Sequence, residues 1–324
     1  MNFKTGIGRP GVAVAIFIAF AMCLLGLIFH PVELSRQSYG LCVPSPETWN
    51  IESVLSWILN TAGIALVTTL IFLINKQFNF VRTTEPALPA LFIVMTCSIP
   101  WFTQFLNTSV ILCLANVLCL GLIFTAYAIR NATRQMFIIG FVAGVGSMFQ
   151  YAFLPMIAVY LIWALFMKVL RVKETLAFIT GILCPFWVSL GFGWVRFSDF
   201  HFPGLTPLYS QATDHSEFLL LLIAIGIAAA IGFIVTLINS IKLYAGNSQV
   251  NSMNLCVSVL GAASVVCIII DYENMPAYVV TLFMAFSVQL ANICALWNPR
   301  MPWLVTVVPS GVYVALFVLS MILK

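Results

Sequence analysis

Charge is what this chain has least of. Only 7% of its 324 residues are Asp, Glu, Lys or Arg, against roughly 25% in soluble domains, so no water-facing surface can be built from it. No polar stretch reaches the length of a soluble domain, about 50 residues at minimum. Catalytic signatures are missing too: there is no phosphate-binding glycine loop, nucleophile elbow or HExxH motif. The nine cysteines contain no CxxC pair. Eight lie inside apolar runs, and Cys42, in a loop, has no loop partner, so they read as small packing residues. No sequence repeat is visible, which leaves an inverted-repeat transporter without support.

What the chain does have is apolar sequence, 62% of the total. Runs near the roughly 20 residues that cross a hydrocarbon core recur from end to end. The expected architecture is an all-α, polytopic transmembrane bundle, a single integral membrane domain over residues 1–324. The spans are placed at 11–30, 53–74, 87–103, 109–129, 135–150, 155–168, 175–194, 218–241, 254–270, 276–297 and 302–323. The first run exceeds a usual signal h-region and lacks a small-residue cleavage site after it, so it reads as a permanent span.

Alternating these spans from a cytoplasmic N-terminus puts eleven of the fourteen Lys and Arg inside. Only Arg36, Arg196 and Lys324 fall outside. That asymmetry matches the positive-inside rule, and miscounting one span would scramble it. The +4 net charge thus reflects topology, and no nucleic-acid partner is expected. Bacterial inner (cytoplasmic) membrane is the expected location, with the lipid bilayer as first partner.

No Asp, Glu, Lys, Arg or His lies deep in any of these spans, which counts against a proton- or sodium-driven carrier. Uncharged polar residues do: Asn60, Thr61, Asn116, Gln150, Asn239, Gln289 and Asn292. Interhelical hydrogen bonding is the plain reading, and lining of a substrate path the sharper one. Gly140 and Gly144 form a GxxxG match, a signal for close helix packing.

The outer face collects all three histidines and most acids. One long outer loop runs from His30 to about Glu52, and a second from Val195 to Glu217. In the first, Ser45-Pro46-Glu47 reads as a helix start. Glu33 stands just past the first span, where it is a candidate general base or a ligand for a divalent cation. In the second, Arg196-Phe197-Ser198-Asp199-Phe200-His201-Phe202 mixes aromatic and ionisable groups. Such a strip is able to stack on a sugar or ligate a metal through Asp199 and His201, or simply to form an interfacial aromatic belt. The spacing matches no metal-site signature, so no cofactor is expected beyond a divalent cation.

The order Val110-Ile111-Leu112, Asn116, the basic turn Arg130–Arg134, the segment Phe137 to Ser147 with its glycines, and Phe153-Leu154-Pro155 resembles part of the C-type (GT-C) glycosyltransferases. These take sugars from polyprenyl-phosphate donors. The same stretch looks closer still to an uncharacterised family of small polytopic inner-membrane proteins from Bacteroidetes. The GT-C resemblance implies an essential acid in the first outer loop, and Glu33 alone matches that placement; the family's paired acids are replaced by Val32 and Leu34 beside it. It further implies a role in envelope glycan or glycolipid assembly, with a polyprenyl-phosphate-linked sugar as partner and Asp199 and His201 near acceptor or phosphate. The rival expectations are a non-catalytic scaffold for another membrane protein, and a small-molecule or lipid transporter with Gln150, Asn116 and Gln289 around one cavity.

Overall fold

A computed structural model describes residues 9–29, 40–49, 51–81, 87–201, 216–243, 248–271, 274–297 and 302–322. Among them no β-sheet forms, and eleven α-helices run α1 (Arg9–Phe29), α2 (Ser53–Phe78), α3 (Ala87–Cys97), α4 (Thr108–Thr125), α5 (Thr133–Phe149), α6 (Phe153–Phe166), α7 (Val172–Gly191), α8 (Ser216–Leu243), α9 (Ser248–Ile270), α10 (Met275–Trp297) and α11 (Pro302–Ile322). Each expected span has its helix. Six helices contain segments long and apolar enough to cross a membrane, and shorter apolar segments lie in the other five. The protein is therefore a helical, membrane-embedded molecule.

Boundaries shift where polar residues blur the hydrophobic signal. α9 begins at Ser248, six residues before its apolar run, because Gln249, Asn251 and Ser252 are compatible with a helix even though they read as loop. α3 ends early, at Cys97, and the chain continues through a 3-10 turn at Pro100–Phe102. Pro46–Thr48 is likewise one 3-10 turn rather than the start of α2, which begins at Ser53.

The α3–α4 turn is buried, so its backbone groups need partners inside the protein. Asn60 on α2 supplies two: its Nδ2 donates to the Phe102 carbonyl at 2.7 Å and its Oδ1 accepts from Asn107 N at 3.3 Å. Ser56 Oγ accepts from Leu106 N at 2.7 Å, and Gln104 Nε2 donates to Gly26 O on α1 at 2.9 Å. Asn107 then caps α4, accepting from Ser109 N at 2.9 Å.

α10 is the axis of the bundle. Its segment Met275–Ile293 is 94% buried, with α3, α4, α8, α9 and α11 around it. α7 sits at the opposite extreme, packed chiefly on α5. The GxxxG of α5 makes that contact: Gly140 meets the Phe178 carbonyl and Gly144 the Ile182 carbonyl, while Gly181 of α7 faces the Phe137 carbonyl. A Cβ at Gly144 would stand 2.5 Å from Ile182 O, a separation no side chain tolerates. The motif's expected close packing is thus met within the chain, between two parallel helices.

Candidate functional site

Two places gather polar chemistry: the end of the bundle carrying the two loops expected to face outward, and one face of α10. At the first, residues 40–49 lie across the C-terminal end of α5. Leu41 N donates to Ser147 O at 3.1 Å, and Val43 N donates to Met148 O at 3.0 Å. These are the carbonyls that a helix end leaves without an intrahelical partner. Trp49 meets Phe149 edge-on at 5.8 Å between ring centroids.

The strip before residue 202 docks onto the same loop. His201 N donates to Leu41 O at 2.9 Å, and the Tyr151 hydroxyl donates to His201 O at 2.9 Å. Two loops separated by some 160 positions are thereby clamped together through the His201 backbone, which leaves its imidazole exposed. Electrostatics records the same proximity. Burial, and then the charge of Asp199, raise the Cys42 thiol above its ordinary pKa. Burial, and then Cys42, raise the Tyr151 hydroxyl.

Asp199 closes its own turn. Its Oδ2 accepts from Arg196 N at 2.9 Å and its Oδ1 from the Ser198 hydroxyl at 3.0 Å, closing the 3-10 turn Phe197–Asp199. Those two hydrogen bonds, with the Arg196 and His201 charges, hold the carboxyl below the usual Asp range. Asp199 therefore shapes the turn that presents His201. Exposed rings flank it: Phe192 stacks on Trp194 at 5.3 Å, Phe197 on Phe200 at 6.4 Å, and Trp187 is 81% exposed. Glu33, His30 and His215 lie outside the described residues.

Asn274, just before α10, and Tyr278, Thr281, Gln289 and Asn292 on it recur at steps of three, four and eight, which places them along one face. They form three separate clusters. At the outer-loop end, Gln150 Nε2 donates to Asn274 Oδ1 at 3.0 Å. Asn274 Nδ2 in turn donates to both oxygens of Asp271 at 3.0 Å, and the Tyr278 hydroxyl donates to Asp271 Oδ2 at 3.2 Å. Midway, Asn116 Nδ2 donates to Thr281 Oγ1 at 3.3 Å and its Oδ1 accepts from Tyr160 at 2.7 Å. Toward the far end, Gln289 joins Asn239 (2.8 Å) and Ser258 (2.8 Å), and Asn292 donates to Asn254 Oδ1 at 2.7 Å. Gln150, Asn116 and Gln289 thus belong to three helix-to-helix ties rather than to one cavity.

Sequence reasoning left Asp271 as one more acid of the outer face and passed over Asn274, both at the α9–α10 turn where polar residues read as solvated; Tyr278, inside the expected span 276–297, reads as a packing residue. It missed Tyr151 because a tyrosine at a turn carries no chemical signature. No family model, curated protein or solved structure matches this chain.

Proposed function

We propose that the chain crosses the bilayer eleven times from a cytoplasmic N-terminus, in a bacterial inner membrane. Its working surface is the outer-loop assembly, where it handles a sugar-bearing lipid in envelope glycan or glycolipid assembly. The observation that carries this reading is the clamp Tyr151–His201–Leu41, which brings the Asp199/His201 strip onto the first outer loop, the loop that also holds Glu33. In this reading Glu33 is the base for an acceptor hydroxyl, His201 and Arg196 face the phosphate, and the exposed aromatics stack on sugar rings. Asp199 positions the turn, with its remaining lone pairs open to a divalent cation.

Transport is disfavoured by the division of the α10 face into three separate clusters. Such ties are worth roughly 0.6–2 kcal/mol each as helix glue.

The test is mass spectrometry of envelope lipids in wild type, a deletion, and strains carrying Glu33→Gln or His201→Ala at matched protein abundance. The same missing glycan, or the same accumulated lipid-linked precursor, is expected in the deletion and both variants. If the deletion alters the profile while both variants restore it, the loop site is wrong and a scaffold role takes its place.

A further inference from the structure

The opposite end of the α4–α7 bundle carries a second assembly that the outer-loop reading does not use. The turn after α4 and the turn after α6 lie side by side: Ala128 N donates to Met167 O at 3.1 Å, and Arg171 Nη1 to Arg130 O at 3.0 Å. α5 and α7 run parallel, since Gly140 meets Phe178 and Gly144 meets Ile182. Their first turns therefore start at this same end. The arrangement gathers Arg130, Arg134, Lys168, Arg171 and Lys173, five of the fourteen Lys and Arg of the chain, all exposed.

Among the described residues a single acid accompanies these five cations. The one described acid at this end, Glu174, is 2% exposed, turned inward beneath the cations, and its Oε2 accepts no hydrogen bond from described residues. Lys168 also occupies a left-handed backbone position at φ 58°, which disfavours a side chain. The chain places a long cation where glycine would sit more easily.

From this cation cluster an apolar stripe rises directly along the outward flank of α7. Val172, Leu176, Ile179 and Leu183 follow one another at i, i+4, i+7 and i+11, and Val172 (76%) and Leu183 (58%) are strongly exposed. At 1.5 Å per residue the stripe is about 16 Å long, roughly one leaflet of a ~30 Å core. Phosphate-sized positive charge at the head of a leaflet-length apolar track fits a phospholipid better than a free anion, which would have no use for the track.

We infer that the paired turns after α4 and α6, with the flank of α7, bind an anionic phospholipid: its phosphate lies against the five cations and its acyl chains along Val172–Leu183. Basic clusters at helix ends recognise anionic headgroups in this way. Each cation near the surface contributes about fivefold, so removing three is expected to weaken binding on the order of a hundredfold.

The experiment is a native mass spectrometry titration of the purified full-length protein with phosphatidylglycerol, phosphatidylcholine of the same chains, and glycerol phosphate. Selective uptake of phosphatidylglycerol is expected, falling about a hundredfold in Arg134→Gln/Lys168→Gln/Lys173→Gln and unchanged in Lys76→Gln, on α2. Equal uptake of both lipids, or an unaltered triple variant, overturns the inference. Uptake of glycerol phosphate as tight as that of the lipid would show a free-anion site and overturn the lipid assignment. Should the triple variant fail to fold, the wild type decides: phosphatidylglycerol selectivity that survives 1 M salt, where screening shortens to about 3 Å, contradicts a charge-based site.

Discussion

Replacing Gly144 with Ala tests the α5–α7 crossing at its tightest point. The added methyl would lie 2.5 Å from the Ile182 carbonyl oxygen and 2.8 Å from Pro185 Cγ. Neither can yield without moving a backbone, because Pro185 is fixed within α7 and Ile182 O belongs to its helix. Overpacking of this kind costs typically 1–3 kcal/mol, and a backbone-against-backbone clash belongs at the top of that range. The loss is larger than for an average helix pair because α7 depends chiefly on α5 for packing. A drop of several degrees in the thermal midpoint is expected for detergent-solubilised Gly144→Ala, and a larger one for Gly144→Ala/Gly181→Ala. Gly226→Ala, inside α8 with nothing within 4 Å of the new methyl, is the control and melts at or slightly above the wild type, since alanine suits a helix interior better than glycine. If Gly144→Ala melts with the control, the close parallel packing of α5 on α7 is wrong.

Other predictions follow from single contacts. Lys168→Gly relieves a left-handed backbone at φ 58° and is expected to raise stability by roughly 0.5–1 kcal/mol, seen as a higher melting midpoint; a lower midpoint would refute the strain argument. Tyr160→Phe strands Asn116 Oδ1 in the core and should cost about 1 kcal/mol, whereas the exposed Thr125→Val should change little. Asp199 has its carboxyl held below the ordinary range, first by Arg196 N and then by the Ser198 hydroxyl. Its support for the 197–199 turn is therefore complete above the unfolded Asp pKa of about 3.9 and is lost only as pH falls through the lower folded value. Hydrogen exchange at Arg196 should stay protected from pH 7 down to that range in wild type and lose protection at every pH in Asp199→Ala.

The helices were legible in the sequence because apolar length is a local property that each segment carries by itself. Even the turn between the expected spans 135–150 and 155–168 is legible, since the length between the basic Arg134 and Lys168 and the charge at both ends together demand a reversal near Tyr151. What GxxxG touches was not legible: Gly140 and Gly144 announce a close approach, but the partner Gly181 lies some forty residues on, and any small-residue helix would satisfy the signal. Polar residues divided in the same way. Asn116 and Gln289 were recognisable as ties, yet Tyr160 and Ser258 become partners only through the packing around α10. The outer site was half visible, as a strip rich in aromatic and ionisable residues. Its docking onto residues 40–43 runs through backbone groups, which every residue possesses and no sequence advertises.

The most direct test of the account uses Cys42, which lies within reach of the Asp199 charge at the end of the bundle proposed to face outward. Burial and then the Asp199 charge raise its thiol, so less thiolate is present near neutral pH and maleimide reacts slowly. A membrane-impermeant maleimide added to intact cells or spheroplasts should label Cys42 from outside, with Cys42→Ser as the blank. Asp199→Asn should lower the thiol pKa and speed the reaction at pH 8. External labelling that accelerates in Asp199→Asn supports both the orientation and the joining of the two outer loops. Labelling only from the cytoplasmic side contradicts the orientation, and an unchanged rate in Asp199→Asn contradicts the loop assembly on which the proposed function rests.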